Sequence, residues 1–142
     1  MKLSSKAQTL EELKPIVNYS KVLPVYRFYA NEYLERKTQI LNQIRVVFDV
    51  NIIVRSSSSS EDNFEASNAG GFDSVLDVDI RSEQEIHTSI ESVILSYGDK
   101  LNDSDEVFVQ PMLSNVTMSG VVFTADIDTL SSYYVINFDE SG

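Results

Sequence analysis

Cysteine is absent from this 142-residue chain, which excludes disulfides and thiolate metal sites. Basic residues are scarce: 11 Lys and Arg stand against 22 Asp and Glu, a net charge of −11. Nucleic acids and anionic membranes require a basic surface, so neither is expected as a partner. A nucleotide remains open, because a few local donors can hold one on an acidic protein. No apolar run approaches the length of a membrane span. The opening residues, MKLSSKAQTLEEL, lack the apolar centre of a signal peptide, and a cytoplasmic protein is expected. Histidine occurs once, at His87, and reads as a structural residue on a helix face.

What is present suffices for a core. Hydrophobic residues make up 42% of the chain, ample for one compact domain over residues 1–142, and the length is too short for two ordinary ones. Thr9-Leu10-Glu11-Glu12 reads as a capping box opening a short helix with Leu10, Leu13, Ile16 and Val17 on one face, shortened or bent by Pro15. Residues 22–29 look extended. A second helix is expected from Asn31 to about Val47, on the spacing of Leu34, Ile40, Leu41, Ile44 and Val47. NIIVR is a buried-strand signal, and FDSVLDV alternates, with Phe72, Ser74 or Val75, and Leu76 competing for the inner face. Ser82-Glu83-Gln84-Glu85 is a second capping box. Ile86, Ile90, Val93, Ile94 and Tyr97 follow at helical spacing, and Gly98 suits a C-cap. EVFVQPML, SGVVFTAD and YYVINFD then read as an antiparallel meander, with Met112, Val122 and Phe123 as sheet core. The order α, β, α, β, β, α, β, β, β implies an α+β fold with helices packed on a largely antiparallel sheet.

The stretch NIIVRSSSSSEDNFEASNAGGFDSVLDV, residues 51–78, carries the functional question. Five consecutive serines, Ser56–Ser60, suit a flexible linker. Three features suit an anion cradle instead. Arg55 ends an apolar strand, which would aim a rigid fork of donors at whatever the loop encloses. Consecutive small residues let backbone N–H groups converge on an anion. Ala69-Gly70-Gly71 removes side chains where a backbone must pass close to a ligand. Glu61-Asp62 reads as a loop-shaping pair, with Asp62 capping a turn. Residues 56–70 are expected to be mobile without ligand, being polar and poor in packing contacts.

These residues resemble the signature of the phosphoenolpyruvate synthase and pyruvate phosphate dikinase superfamily. Its N-terminal ATP-grasp domain reads V-R-S-S-(A/S)-x-x-E-D, then (A/S)-x-A-G, then x-(T/S)-x-L-(N/D)-V. Here the matching segments are VRSSSSSED, SNAG and DSVLDV. Downstream, VQPML and SGVVFTAD resemble the family's hinge and the strand after it, in the same order. Ser4-Ser5-Lys6-Ala7 resembles the family's G-G-K-(A/G) start, with serine in place of both glycines. The compact segment from Lys6 to Arg55 is similar to the branch of amide-nitrogen kinases, of which L-glutamine kinase is the known example.

The resemblance implies an ATP-grasp-like N-terminal portion of a larger multidomain enzyme. That enzyme would move a phosphoryl group from ATP through a swivelling-domain histidine to a small-molecule acceptor, pyruvate or the amide nitrogen of glutamine. It implies phosphate contacts from Lys6 and Arg55, a loop shaped by Ser56 and Ser57, close backbone passage at Gly70 and Gly71, and a hydroxyl at Ser74 facing the phosphates. Gln110 and the Met112 backbone fall where the family contacts adenine. ATP and Mg²⁺ are the implied cofactors, with the metal ligands expected beyond Gly142 and the fragment alone inactive. A non-catalytic nucleotide-binding or regulatory module of the same lineage is the alternative, and a generic α+β domain with a serine linker is a third.

Overall fold

The computed structural model describes residues 5–58 and 74–140, in two compact units, Met1–Met112 and Leu113–Gly142. The first unit holds three helices, α1 (Lys6–Leu13), α2 (Tyr33–Val47) and α3 (Glu83–Ser96), and four strands, β1 (Tyr26–Tyr29), β2 (Ile52–Ser57), β3 (Ser74–Val78) and β4 (Glu106–Pro111). The second holds the hairpin of β5 (Ser119–Phe123) and β6 (Val135–Asp139). The element order matches the α+β reading. Among the described residues no helix is long and apolar enough to cross a membrane.

The four strands form one antiparallel sheet in the order β1-β4-β2-β3. The expected three-strand meander therefore does not form. β4 is inserted between β1 and β2, where both of its edges are paired, and only β5 and β6 pair as a hairpin. Val122, expected in a core, is 59% exposed, since a two-stranded ribbon has no second layer within its unit to cover either face. Met112 and Phe123 are half-buried.

The core lies between one face of the sheet and the helices α2 and α3. In α2, Tyr33, Ile40, Leu41 and Ile44 are buried. Leu34, expected on this stripe, is 79% exposed, because one residue further along turns it about 100° away from Tyr33. A 3-10 turn, Ala30–Glu32, precedes the helix. In α3, Ile86, Ile90 and Val93 are buried as the spacing required, as is Tyr97 at its C-cap, each aliphatic side chain contributing about 1.5–3 kcal/mol. Ser82 caps this helix by accepting the Glu85 N–H, while the Glu85 carboxylate takes the Asp79 N–H instead of closing the box. Gly98 sits at φ +53°, the left-handed geometry that ends a helix.

Two local expectations change. Ser5, not Thr9, caps the first helix: it is extended, and its hydroxyl accepts the Gln8 N–H. Thr9 already lies inside α1, which ends at Leu13 ahead of Pro15, and Ala7 is its buried residue in place of the Leu10 stripe. In β3, Val75 is half-buried and Val78 buried, while Leu76 is exposed. A bulge opposite Ile52–Val54, with Asp77 at φ +56°, inserts the extra residue that breaks simple alternation.

Two predictions follow from packing. The Tyr33 hydroxyl meets His87 Nδ1 at 2.9 Å, tying α2 to α3, and burial, then the carboxylates of Glu91 and Glu83, push its phenol up to about 12. A phenol kept neutral in the fold but ionising near 10 when unfolded favours folding below pH 10, a contribution lost as pH rises to 12. Chemical denaturation should show stability falling across that window, with a shallower fall in Tyr33→Phe; equal slopes would clear Tyr33 as the cause. In the hairpin, a Cβ on Gly120 would stand 2.5 Å from the Asn137 carbonyl oxygen. Gly120→Ala should abolish the Val121–Asn137 cross-strand contacts in NMR spectra, and their retention would refute this steric account.

Candidate functional site

Strand residues alternate between faces, and directly opposed partners share one. Ile52, Val54, Val107 and Val109 face the helices and are buried in the core. The register then sets Arg27, Phe108, Arg55 and Ser74 in one row across the second face, from β1 through β4 and β2 to β3. One step along that face Ser57 is opposite Glu106, and in the other direction Ile53 is opposite Gln110.

Of the residues singled out from the sequence, the structure thus brings Arg55, Ser57, Ser74 and Gln110 onto one face. Arg55 is exposed, and its guanidinium carbon lies 5.7 Å from the centroid of the buried Phe108 ring. A cation over an aromatic face is attracted to it, which restrains the long side chain. Ser74, also exposed, is its direct partner on β3. Gln110 is half-buried, and β1 pairs with β4 only as far as Val109. The Met112 N–H donates to the Asn51 carbonyl at 2.7 Å.

Ser56 and Ser57 are not loop residues. Both lie in the β2–β4 ladder opposite Val107 and Glu106, and both are buried. Ser56 faces the helices, away from Arg55. The Ser57 hydroxyl accepts the Ala7 N–H at 3.3 Å, and its own N–H donates to the Tyr97 hydroxyl at 2.9 Å. Ser58 is buried as well, donating to Asp105 Oδ1 at 2.6 Å. The expectation of mobility from residue 56 therefore fails for Ser56–Ser58: strand pairing and buried hydrogen bonds hold them. Gly70, Gly71, Glu61, Asp62 and the other residues of 59–73 lie outside the described residues.

Beside this face is a buried polar cluster. Glu106 is fully buried on β4. Its Oε1 accepts from Arg27 Nη1 at 2.6 Å and from Gln8 Nε2 at 3.3 Å, and its Oε2 accepts from the Ser5 hydroxyl at 2.5 Å. Its backbone carbonyl accepts from the Tyr97 hydroxyl at 2.7 Å. A buried carboxylate is tolerated only with such partners, each charged hydrogen bond contributing about 1.5–3 kcal/mol. Arg27 also pairs with Glu11 at 2.8 Å, so α1 is tied to β1 and β4 by side chains of the second face. Lys6, exposed, is the first residue of this helix.

Arg27, Asp105, Glu106 and Tyr97 were not singled out as site residues from the sequence. One signal was available: YRFY and EVFV each carry a lone charge of opposite sign in an apolar strand, and two such strands have reason to pair. His87 bridges α2 and α3 through Nδ1 and the Tyr33 hydroxyl, while its Nε2 lies 3.4 Å from Glu91 on its own helix. Among the described residues no group of three His, Asp or Glu is placed to hold a metal ion.

The second face thus offers a restrained guanidinium beside a hydroxyl, a pairing suited to anionic oxygens. No curated protein matches the chain. The family model for the pyruvate phosphate dikinase AMP/ATP-binding domain matches residues 30–139, the segment that holds β2 to β6 but not β1. The chain belongs to the pyruvate phosphate dikinase AMP/ATP-binding domain family.

Proposed function

We propose that this chain is the ATP-holding portion of a phosphoenolpyruvate synthase-like phosphotransferase, and that the triphosphate lies on the second face of the sheet. The observation that carries this reading is the Arg55 guanidinium, restrained over Phe108 and directly opposite Ser74. Arg55 contacts phosphate oxygens through its fork, and Ser74 donates its hydroxyl to them. Lys6 adds a second cation from α1. Gly70 and Gly71 let the backbone close over the phosphates. Ser56 and Ser57 act from within the strand: they fix the point at which the chain leaves β2, rather than touching the nucleotide.

Adenine sits at the end of β4, against Gln110. The Met112 N–H is committed to Asn51, so the Met112 carbonyl is the backbone group assigned to the adenine amine. The described residues do not form a carboxylate set for Mg²⁺, and no metal ligand is assigned in this chain. When bound with ATP, the ion would neutralise phosphate charge, and the chain's own residues bind and orient the nucleotide. In the parent enzyme the phosphoryl group passes to a swivelling-domain histidine and then to pyruvate or the amide nitrogen of glutamine, in the cytoplasm.

Calorimetric titration of Mg-ATP into the chain and its Arg55→Ala variant tests the placement. Loss of a charged hydrogen bond should weaken ATP binding about tenfold or more, with a smaller loss for adenosine, which has no phosphates. Arg55→Lys should not restore affinity, because a point charge lacks the fork. Equal ATP affinities for the original chain and Arg55→Ala would defeat the assignment.

A further inference from the structure

Helix α1 presents a physical question of its own. It has only eight residues, too short to persist alone in water. Ala7 is its buried residue, while Leu13 and, just beyond it, Ile16 are exposed. Apolar packing of the kind that holds α2 and α3 is therefore slight here. What α1 does have is a set of polar ties converging on one atom group. Ser5 donates to Glu106 Oε2 and Gln8 donates to Glu106 Oε1, while the same Oε1 takes Arg27, which holds Glu11 near the helix's other end. Ala7 is pinned separately by its N–H on Ser57. Lys6 is thus flanked on both sides by anchored residues, Ser5 on Glu106 and Ala7 on the strand partner of Glu106.

We infer that Glu106 is a positioning residue: its buried carboxylate docks the first turn of α1 on the sheet and thereby holds Lys6 at the triphosphate. This rests on the placement of ATP proposed above. Glu106 acts through Lys6 and does not touch the nucleotide. Ser5 contributes by a double role, as helix cap and as donor to Glu106, which gives the serine at this position a function that glycine could not supply.

The test is a double-mutant cycle on the full chain, with Mg-ATP affinity by calorimetry and amide exchange across α1 as separate readouts. Glu106→Gln and Lys6→Ala should each weaken ATP binding about tenfold, and the double variant should be no weaker than either alone, because both remove one interaction. Amide exchange in α1 should accelerate in Glu106→Gln and not in Lys6→Ala. Additive losses, or unchanged exchange in Glu106→Gln, would overturn the inference. If Glu106→Gln fails to fold, the pair Ser5→Ala and Gln8→Ala together keeps the Arg27–Glu106 pair, removes both direct ties of α1 to Glu106, and should reproduce both effects; unchanged affinity and exchange in that variant would likewise overturn it. Should the original chain bind no ATP, the proposed function is what fails, and the exchange measurement still decides whether Glu106 docks α1.

Discussion

A carboxylate without water must have partners, and Glu106 has gathered three of them from two parts of the chain. Arg27 comes from β1, and Ser5 and Gln8 from α1. Isolated, the buried charge would cost several kcal/mol; paired, it fixes which segments must meet. The Tyr97 hydroxyl extends the same cluster into the helical layer through the Glu106 carbonyl and the Ser57 N–H. Hydrophobic burial explains why α2 and α3 cover the sheet, but it is indifferent to where α1 lies. The polar cluster supplies that choice.

The sheet divides its labour between faces. Its first face is apolar and sealed by helices, and it accounts for the core. Its second face carries the charged and hydroxylic side chains at matching register, with Arg27 and Arg55 on either side of Phe108 in the row. Central placement of β4 makes this possible. Both neighbours of β4 contribute an arginine to the row, Arg27 compensated by Glu106 and Glu11 and Arg55 exposed over the aromatic ring, on a protein whose net charge is strongly negative. Local arrangement, rather than overall balance, determines what such a face attracts.

Much of the fold was legible because burial leaves a periodic trace. The α3 stripe and its caps at Ser82 and Gly98 lie where periodicity and capping chemistry put them. The family was legible through three ordered motifs. Three things were not. The serine run reads as one segment, yet pairing with Val107 and Glu106 draws its first residues into a strand, since a ladder partner distant in sequence leaves no local mark. The order of strands was hidden for the same reason: neighbours in sequence suggested a meander, while the lone charges of Arg27 and Glu106 recorded the true pairing. The Asp77 bulge shifted Leu76 outward because alternation assumes an uninterrupted ladder. For the site, the register settled which residues share a face, something side-chain type alone does not encode.

The Ser5–Glu106 hydrogen bond spans 101 positions of sequence, and this has a temporal meaning. A chain synthesised from N- to C-terminus makes Ser5 well before its acceptor, which emerges only with β4. Until then β1 and β2 lack the strand that lies between them, and α1 lacks its anchor. Helix α1, made before every strand of its sheet, is therefore among the last elements to settle, and it is held by the strand that completes that sheet. Such long loop closure is slow to form. It also makes a docked α1 a sign that the whole four-stranded sheet is already in place.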